Sequence, residues 1–321
     1  MSTESTSRES WLVAAWPGMG SVAVGAAAYL ITKLGARLVH ELPAGEYFDL
    51  RHIEVKAGLA VAGRLPRSMF FEWRDPKGRR DLLVFLGEEQ PASRGYAFCR
   101  ELLDFAAQRA ITRVYTFAAM ATQLHPSHAP HVYGVATSKA AIDELYALEA
   151  TILDEGQISG MNGVLLAAAA ERALVGVCLL GEIPYFAAGV PNPKASKAVL
   201  ELFATAAGVE LDLAELAKQA EVVDRGLLEL LEKMQAAARM AGAGNEDTGA
   251  SGVLAEEASP DPSSGDREPT VDYATRVRIE QLFDAARQDR AKAVNLKQEL
   301  DRLGVFRYYE DRFLDLFKKA E

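Results

Sequence analysis

The sequence predicts a three-layer α/β/α sandwich built around a mixed, mostly parallel sheet, and three observations carry this prediction. Short apolar runs alternate with amphipathic stretches up to about residue 240, an order typical of α/β folds. The runs LLVFL (82–86) and VCLLG (177–181) are continuously apolar, as expected of strands covered by helices on both faces. The apolar stretches 53–62 and 69–73 follow each other without a helix between them, which predicts hairpin strands added to the parallel sheet.

The individual elements follow from the same patterns. Strands are predicted over residues 12–15, 36–41, 53–62, 69–73, 82–86, 113–117, 132–136 and 175–180, and helices over 22–33, 96–108, 139–148, 163–172 and 193–207. Residues 1–10 are polar and are predicted to be disordered, whereas residues 11–210 are predicted to form the α/β/α domain.

A long helix is predicted after this domain, over residues 211–240, with Asp212 as its N-cap. Residues 241–272 contain eight acidic residues against one arginine, with many Gly, Ser and Pro, which predicts a disordered linker. Residues 273–321 are predicted to form C-terminal helices. The helix 211–240 has a coiled-coil-like seam with alternating spacings of three and four, at Leu213, Leu216, Ala220, Val223, Leu227, Leu230 and Met234.

The C-terminal helices also carry apolar side chains at helical spacing. These surfaces can pack on the α/β/α domain, on each other or between subunits, because a regular apolar seam is not left facing water. We expect them to contribute to a homo-oligomer or partner interface that includes Leu216, Val223, Leu227, Leu230, Phe306, Tyr309, Phe313 and Phe317.

Composition limits the function classes. The net charge is −10, and there is no stripe of Lys and Arg to neutralise phosphates, so a nucleic-acid partner is not expected. The only cysteines are Cys99 and Cys178, which indicates a reducing compartment rather than a disulfide scaffold. No apolar run reaches the roughly 18 residues of a membrane span. We therefore expect a soluble, cytoplasmic protein without a membrane partner.

The glycine-rich turn raises the question of a dinucleotide site. Gly18, Gly20 and Ala23 lie between a predicted strand and helix, and Glu41 ends the second strand, as in a dinucleotide-binding fingerprint. Pro17 removes a backbone donor just before the turn, and a strand hairpin follows where the fingerprint requires a helix. A tight strand-to-helix turn is the simpler interpretation, and no cofactor is predicted.

Three histidines, His125, His128 and His131, recur at a spacing of three, and zinc can use three histidine ligands. Pro126 and Pro130 prevent a helix here, so the spacing does not bring the three rings onto one face. No metal site is predicted.

Polar residues at the predicted strand ends form the candidate ligand crevice, because ligands bind beyond the carboxyl ends of strands in open α/β sheets. The same side chains can instead cap helix N-termini and loop amides. No catalytic residue is assigned. The candidate residues are Gly18, Met19, Gly20, Glu88, Gln90, Asn162 and Glu182.

Several stretches, taken in order, resemble the proteasome assembly chaperone 2 family over roughly residues 12–234. They are AAWPGMGSVAVGAAAYL, LLVFLGEEQP, VYTFAAM, HVYGVATSK, ISGMNGVLLAAAAER, GVCLLGEIP and PNPKASKAVLELF. The resemblance implies an α/β/α fold like that of nucleoside phosphorylases, usually without a demonstrated enzyme activity. Some relatives dock on proteasome α-subunits, often through a C-terminal hydrophobic-Tyr-x tail. This chain departs from that pattern, with Lys319-Ala320-Glu321 at its end, which argues against docking by the C-terminus.

The expected function is therefore that of a non-enzymatic cytoplasmic assembly chaperone or scaffold that acts by protein–protein interaction. Proteasome subunits are candidate partners. The alternative is a small-molecule-binding or phosphorylase- or hydrolase-like enzyme that uses the crevice at the strand ends. A nucleotide-dependent enzyme that uses Gly18 and Gly20 is the third interpretation.

Overall fold

The chain forms two compact units, Met1–Asp247 and Thr248–Glu321. The computed structural model describes residues 9–50 and 52–243 of the first unit, with side chains described up to residue 237. In the second unit it describes Ile279, Leu282, Phe283, Ala286, Leu296, Lys297, Leu300, Tyr309 and Phe313.

The first unit contains ten strands and six α-helices among its described residues. The strands are β1 (Glu9–Ala15), β2 (Arg37–Glu41), β3 (Ile53–Lys56), β4 (Leu59–Ala62), β5 (Ser68–Trp73), β6 (Arg80–Gly87), β7 (Ile111–Thr122), β8 (Val132–Ala136), β9 (Thr151–Ile152) and β10 (Val175–Pro184). The helices are α1 (Val22–Leu34), α2 (Gly95–Ala107), α3 (Lys139–Ala147), α4 (Met161–Glu171), α5 (Pro193–Ala207) and α6 (Ala214–Ala243).

Eight of these strands form one mixed sheet in the order β2-β5-β6-β1-β7-β10-β8-β9. The four central strands, β6, β1, β7 and β10, are mutually parallel. Antiparallel pairing adds β5 and then β2 on one side, and β8 on the other. The carboxyl ends of the four central strands therefore lie along one edge of the sheet. This confirms the predicted fold class.

Both faces of the central strands are covered. Along β1, Trp11, Val13 and Ala15 pack on the side of α1 and α5, whereas Leu12 and Ala14 pack on the side of α2 and α4. Because side chains alternate between the faces of a strand, a strand covered on both faces is apolar at nearly every position. The continuous apolar runs of the sequence have this physical origin.

Three strand predictions are corrected. The stretch 53–62 does not form one strand of the main sheet, because it folds back on itself as β3 and β4 in a separate two-stranded sheet. Its turn is Ala57-Gly58, where both residues have positive φ. The sequence lacks the Asn-Gly or Asp-Gly pair that usually marks such a turn. In addition, β7 and β10 extend four or five residues beyond the predicted ends, to Thr122 and Pro184.

The long helix α6 buries only the first part of its predicted seam. Leu216 and Leu227 are buried and Val223 is half-buried. In contrast, Leu230 is 38% exposed and Met234 is 41% exposed. The exposed part of the seam is therefore available for contact with another surface.

The described residues of the second unit are all helical. The apolar ones form a hydrophobic cluster, in which Leu282 and Tyr309 are partly buried. The buried members of this cluster are Ile279, Phe283, Ala286, Leu296, Leu300 and Phe313. Phe306 and Phe317 of the predicted interface lie outside the described residues.

The close approach of Gly87 to Trp16 gives a stability prediction. A Cβ atom on Gly87 would lie 2.6 Å from Cδ1 of Trp16, whose side chain is fully buried against Phe85. Gly87→Ala should therefore lower the free energy of unfolding by about 1–3 kcal/mol through overpacking, measured by urea denaturation. Gly45→Ala is the matched control, because its Cβ would meet no atom within 4 Å. Equal stabilities of the two variants would contradict the packing described.

Candidate functional site at the strand ends

The glycine-rich turn Met19–Ser21 is a short 3-10 turn between β1 and α1. Gly20 has φ 59° and is buried. Its N–H donates to the carbonyl of Ala188 at 2.7 Å, and its carbonyl accepts from the N–H of Asn192 at 2.7 Å. The N–H of Ser21 donates to the carbonyl of Gly18 at 3.1 Å. The amides of Gly20 and Ser21 are therefore occupied and do not form a phosphate cradle.

The topology also argues against a dinucleotide site. In the dinucleotide-binding fold the strand after the first helix lies beside the first strand, but here β2 lies at the sheet edge beside β5. The carboxylate of Glu41, at the end of β2, accepts from Nε and Nη2 of Arg67 at 3.0 and 2.7 Å. The acidic side chain that would bind a ribose is thus held in an ion pair. The glycine-rich segment is therefore interpreted as a tight strand-to-helix turn and not as a dinucleotide-binding loop.

Gln90 connects the glycine-rich turn to α4. Its Nε2 donates to the carbonyl of Pro17 at 2.7 Å, and its Oε1 accepts from the N–H of Met161 at 3.0 Å. Gly160, just before α4, has φ 75°, and a Cβ there would lie 2.7 Å from Oε1 of Gln90. Both ends of the Gln90 amide are therefore used to hold two loops together.

Glu88 makes a second connection at the same edge. Its carboxylate pairs with the guanidinium of Arg64, including a bond from Nη2 at 3.0 Å, and accepts from the backbone N–H of Arg67 at 2.9 Å. The hydrogen bond and positive charge of Arg64 hold the pKa of the Glu88 carboxyl below its usual value. Glu88 therefore remains ionised as a structural anion that ties the loop before β5 to the end of β6.

Glu182 makes the third connection, and it lies within the extended β10. Its carboxylate accepts from Oγ1 of Thr122 at 2.6 Å and from the N–H of His131 at 3.0 Å. Nδ1 of His131 lies 2.8 Å from the same carboxylate. Burial alone would raise the pKa of the Glu182 carboxyl, but these hydrogen bonds outweigh it, so the pKa lies below its ordinary value.

The three histidines do not converge. His131 is engaged by Glu182, whereas Nδ1 of His125 lies 2.7 Å from Oγ of Ser127. Within residues 9–237 and the described residues of the second unit, no group of three or more His, Cys, Asp or Glu side chains is placed to hold a metal ion.

Asn162 and Trp16 each carry a buried polar atom that is unusual in its hydrogen bonding. Asn162 is buried, and its Oδ1 has no hydrogen-bond partner among the described residues; the buried Nε1 of Trp16 has none among them either. Trp16 precedes Pro17 and Asn162 follows Met161, so the two flank the connection made by Gln90. No sequence signal distinguishes these polar atoms from those of an ordinary core Trp or Asn.

The predicted crevice residues thus share one edge of the sheet but serve three separate connections. A groove of about 700 Å³ lies between α1, the start of α5 and α6. Gly20 is the one predicted crevice residue among its described lining residues, which also include Ser21, Tyr29, Asn192, Leu216 and Val223. Met19 and Gly18 are exposed.

The two cysteines are buried and free. Burial raises the pKa of each thiol, Cys99 and Cys178, to about 12, which leaves neither as a reactive thiolate at neutral pH. Among the helices that the structure describes, none is both long and apolar enough to span a membrane.

Comparison with known proteins identifies chains that are similar to this one in sequence and in fold. The model of the PAC2 family matches residues 12–231. An uncharacterized protein of Methanocaldococcus jannaschii, MJ1210, is 29% identical over 70% of this chain and 82% of its own. The structure of the Mycobacterium tuberculosis proteasome-assembly chaperone homologue Rv2125 aligns with TM-score 0.60 and 26% identity, over 68% of this chain and 94% of that one. A PAC2 family protein from Streptomyces avermitilis aligns with TM-score 0.59 and 25% identity, over 69% and 96%.

The contacts of Glu182 predict a pH dependence of stability. Because its folded pKa is lowered, the charged carboxylate stabilises the fold above its ordinary pKa of 4.5, and this contribution is lost as the pH falls through the folded pKa. Glu182→Gln should cost about 1 kcal/mol at pH 7, and the difference from wild type should shrink below pH 4.5. Thermal or urea unfolding of both proteins between pH 3 and pH 7 measures this difference in stability.

Glu201→Gln is the control for that experiment, because the Glu201 side chain is 52% exposed and its contact is a surface i,i+4 ion pair with Lys197, worth at most about 0.5 kcal/mol. This variant should stay close to wild type at both pH values. A loss for Glu182→Gln that is the same at pH 7 and pH 3 would contradict the electrostatic origin of the effect.

Proposed function

This chain belongs to the PAC2 family, and we propose that it acts as a cytoplasmic assembly chaperone or scaffold that binds other proteins and catalyses no reaction. The family match confirms the resemblance found in the sequence. The observation that carries the proposal is the similarity to the Mycobacterium tuberculosis proteasome-assembly chaperone homologue, which extends over 94% of that chain. Unassembled proteasome α-subunits are the partners proposed on this basis.

The contacts at the strand ends support a binding protein over an enzyme. A catalytic base needs a proton-accepting atom, and a catalytic acid needs a proton-donating group, within reach of a substrate. Here the carboxylates of Glu88 and Glu182 and the amide of Gln90 are bonded to arginine, threonine and backbone groups of the same chain. These side chains have the partners expected of residues that hold loops in place.

The surface proposed for partners lies on the second half of α6. Leu230 and Met234 belong to the predicted seam and are 38% and 41% exposed. Leu216 and Leu227 are already buried, so the part of α6 proposed for the interface is limited to the exposed residues of the seam. Phe313 is buried within its own cluster, so Phe306, Tyr309 and Phe317 remain the proposed members among the C-terminal helices.

Capture of the tagged full chain from its native cells tests the chaperone function. Quantitative mass spectrometry should find proteasome α-subunits enriched with the wild-type protein. The double variant Leu230→Asp/Met234→Asp should recover at least about tenfold less, because a charge placed in a buried apolar contact costs more than about 1.4 kcal/mol. Glu229→Ala, on the exposed side of the same helix, is the control and should capture as the wild type does.

Two results would contradict the proposed function. One is that no proteasome subunit is enriched above an untagged control. The other is a metabolite that raises the melting temperature of wild type but not of Glu182→Gln, since saturating binding at 100 times Kd would add about 2.7 kcal/mol to stability. The second result would favour an enzyme that uses the strand-end crevice.

Self-association through the C-terminal helices is tested separately by light scattering on the full chain and on a chain shortened to end at Met240. If these helices contribute to an oligomer, the shortened chain should have a lower assembly state while its circular dichroism still shows a folded α/β domain. Phe313→Asp should have the same effect in the full chain, because Phe313 is buried within its cluster. An unchanged assembly state in the shortened chain would show that these helices pack only within one chain.

A further inference from the structure

The hairpin β3–β4 exposes an entire apolar face. Ile53 is 62% and Val55 is 71% exposed, and the residues opposite them on β4, Ala62 and Ala60, are exposed as well. The hairpin forms its own two-stranded sheet, separate from the main sheet. An isolated two-stranded hairpin is only marginally stable in water, and three or more strands are needed for independent stability.

The outer edge of β3 is open for a further strand. The two-residue turn at Ala57 and Gly58, both with positive φ, makes Lys56 and Leu59 the closing hydrogen-bonded pair of the hairpin. Hydrogen-bonded and non-bonded pairs then alternate, so the N–H and C=O groups of Val55 point away from β4. Among the described residues no strand pairs with this edge, since the sheet contains only β3 and β4.

The charges of β3 make this edge complementary to itself. Glu54 and Lys56 lie on the face opposite Ile53 and Val55, because side chains alternate along a strand. Their side chains already form an ion pair at 2.6 Å. If two copies of β3 run antiparallel about a two-fold axis at Val55, Glu54 faces Lys56 of the partner subunit, and Lys56 faces Glu54 of the partner subunit.

We propose that β3 pairs antiparallel with β3 of a second copy of this chain, with the two-fold axis at Val55. The pairing produces a four-stranded sheet, β4-β3-β3-β4, in which the two Val55 residues exchange backbone hydrogen bonds. The charged pairs on either side occupy non-hydrogen-bonded positions, where opposite side chains are closest. Val55 gains a paired strand on the side where no strand of the described residues pairs with it. The inference does not depend on the proposed function, and it adds a second self-association surface, on the hairpin β3–β4.

Charge reversal with rescue tests the pairing in the full chain. Glu54→Lys and Lys56→Glu each place like charges opposite each other in the two-fold register. Each variant should weaken self-association about tenfold at low salt, measured by sedimentation equilibrium. An equimolar mixture of the two variants should recover wild-type association, because unlike charges then face each other again in the mixed pair. Glu46→Lys, an exposed acid outside the hairpin with its side chain 72% exposed, should have no effect.

A mixture that associates no better than the single variants would overturn the proposed register, even if each single variant weakens association. Unchanged association in both single variants would overturn it as well. These outcomes are distinct from failure of the chaperone function, which is read from captured proteasome subunits. They are also distinct from failure of the C-terminal interface, because the chain that ends at Met240 keeps the hairpin intact.

Disulfide formation provides a second test that does not rely on charge. Directly opposed residues of a hydrogen-bonded antiparallel pair have Cα atoms about 5.5 Å apart, which suits a disulfide. Val55→Cys should therefore form a covalent dimer under mild oxidation, whereas Leu59→Cys, on β4 and 69% exposed, should not. Cys99 and Cys178 are buried and do not compete. Equal cross-linking of the two variants, or none in Val55→Cys, would contradict the proposal.

Discussion

Burial of both faces of four parallel strands is the constraint on which this structure depends. Helices α1 and α5 cover one face of β6, β1, β7 and β10, and α2 and α4 cover the other. A polar side chain inside such a strand would lose its hydration without a partner, at a cost of several kcal/mol. Polar chemistry is therefore displaced to the strand ends, where the chain leaves the core and its backbone amides need partners.

The side chains at that edge have the properties that this constraint predicts. Glu88, Gln90 and Glu182 each accept hydrogen bonds from the backbone of a different loop, at Arg67, Met161 and His131 respectively. The pKa of the Glu88 carboxyl is lowered mainly by the hydrogen bond from Arg64, and that of the Glu182 carboxyl by the hydrogen bonds from Thr122 and His131, which outweigh its burial. An edge that in other α/β proteins binds ligands is here used to fix loops. The surfaces proposed for function are the exposed part of α6 and the hairpin β3–β4.

The sheet could be predicted well from the sequence, because a short, continuously apolar run bounded by turn residues is typical of a strand buried on both faces. The sequence also placed Glu88, Gln90 and Glu182 at one edge. Their partners could not be predicted, since Arg64 is 24 residues from Glu88 and Thr122 is 60 residues from Glu182, and such pairs form only through the fold. The turn within 53–62 could not be predicted either, because Ala57 is an unusual residue for a left-handed position. The division of α6 into buried and exposed halves has no signature in a regular heptad pattern.

Native-state hydrogen exchange at three loop amides tests the structural role of the strand ends most directly. The N–H groups of Arg67, Met161 and His131 donate to Glu88, Gln90 and Glu182. If these side chains hold the loops, the three amides should be protected to a degree comparable with the amides of β1 and β7, since their opening requires loss of the surrounding structure. Exchange at the rate of an unstructured peptide would contradict the account. It would leave the same side chains free to bind a ligand.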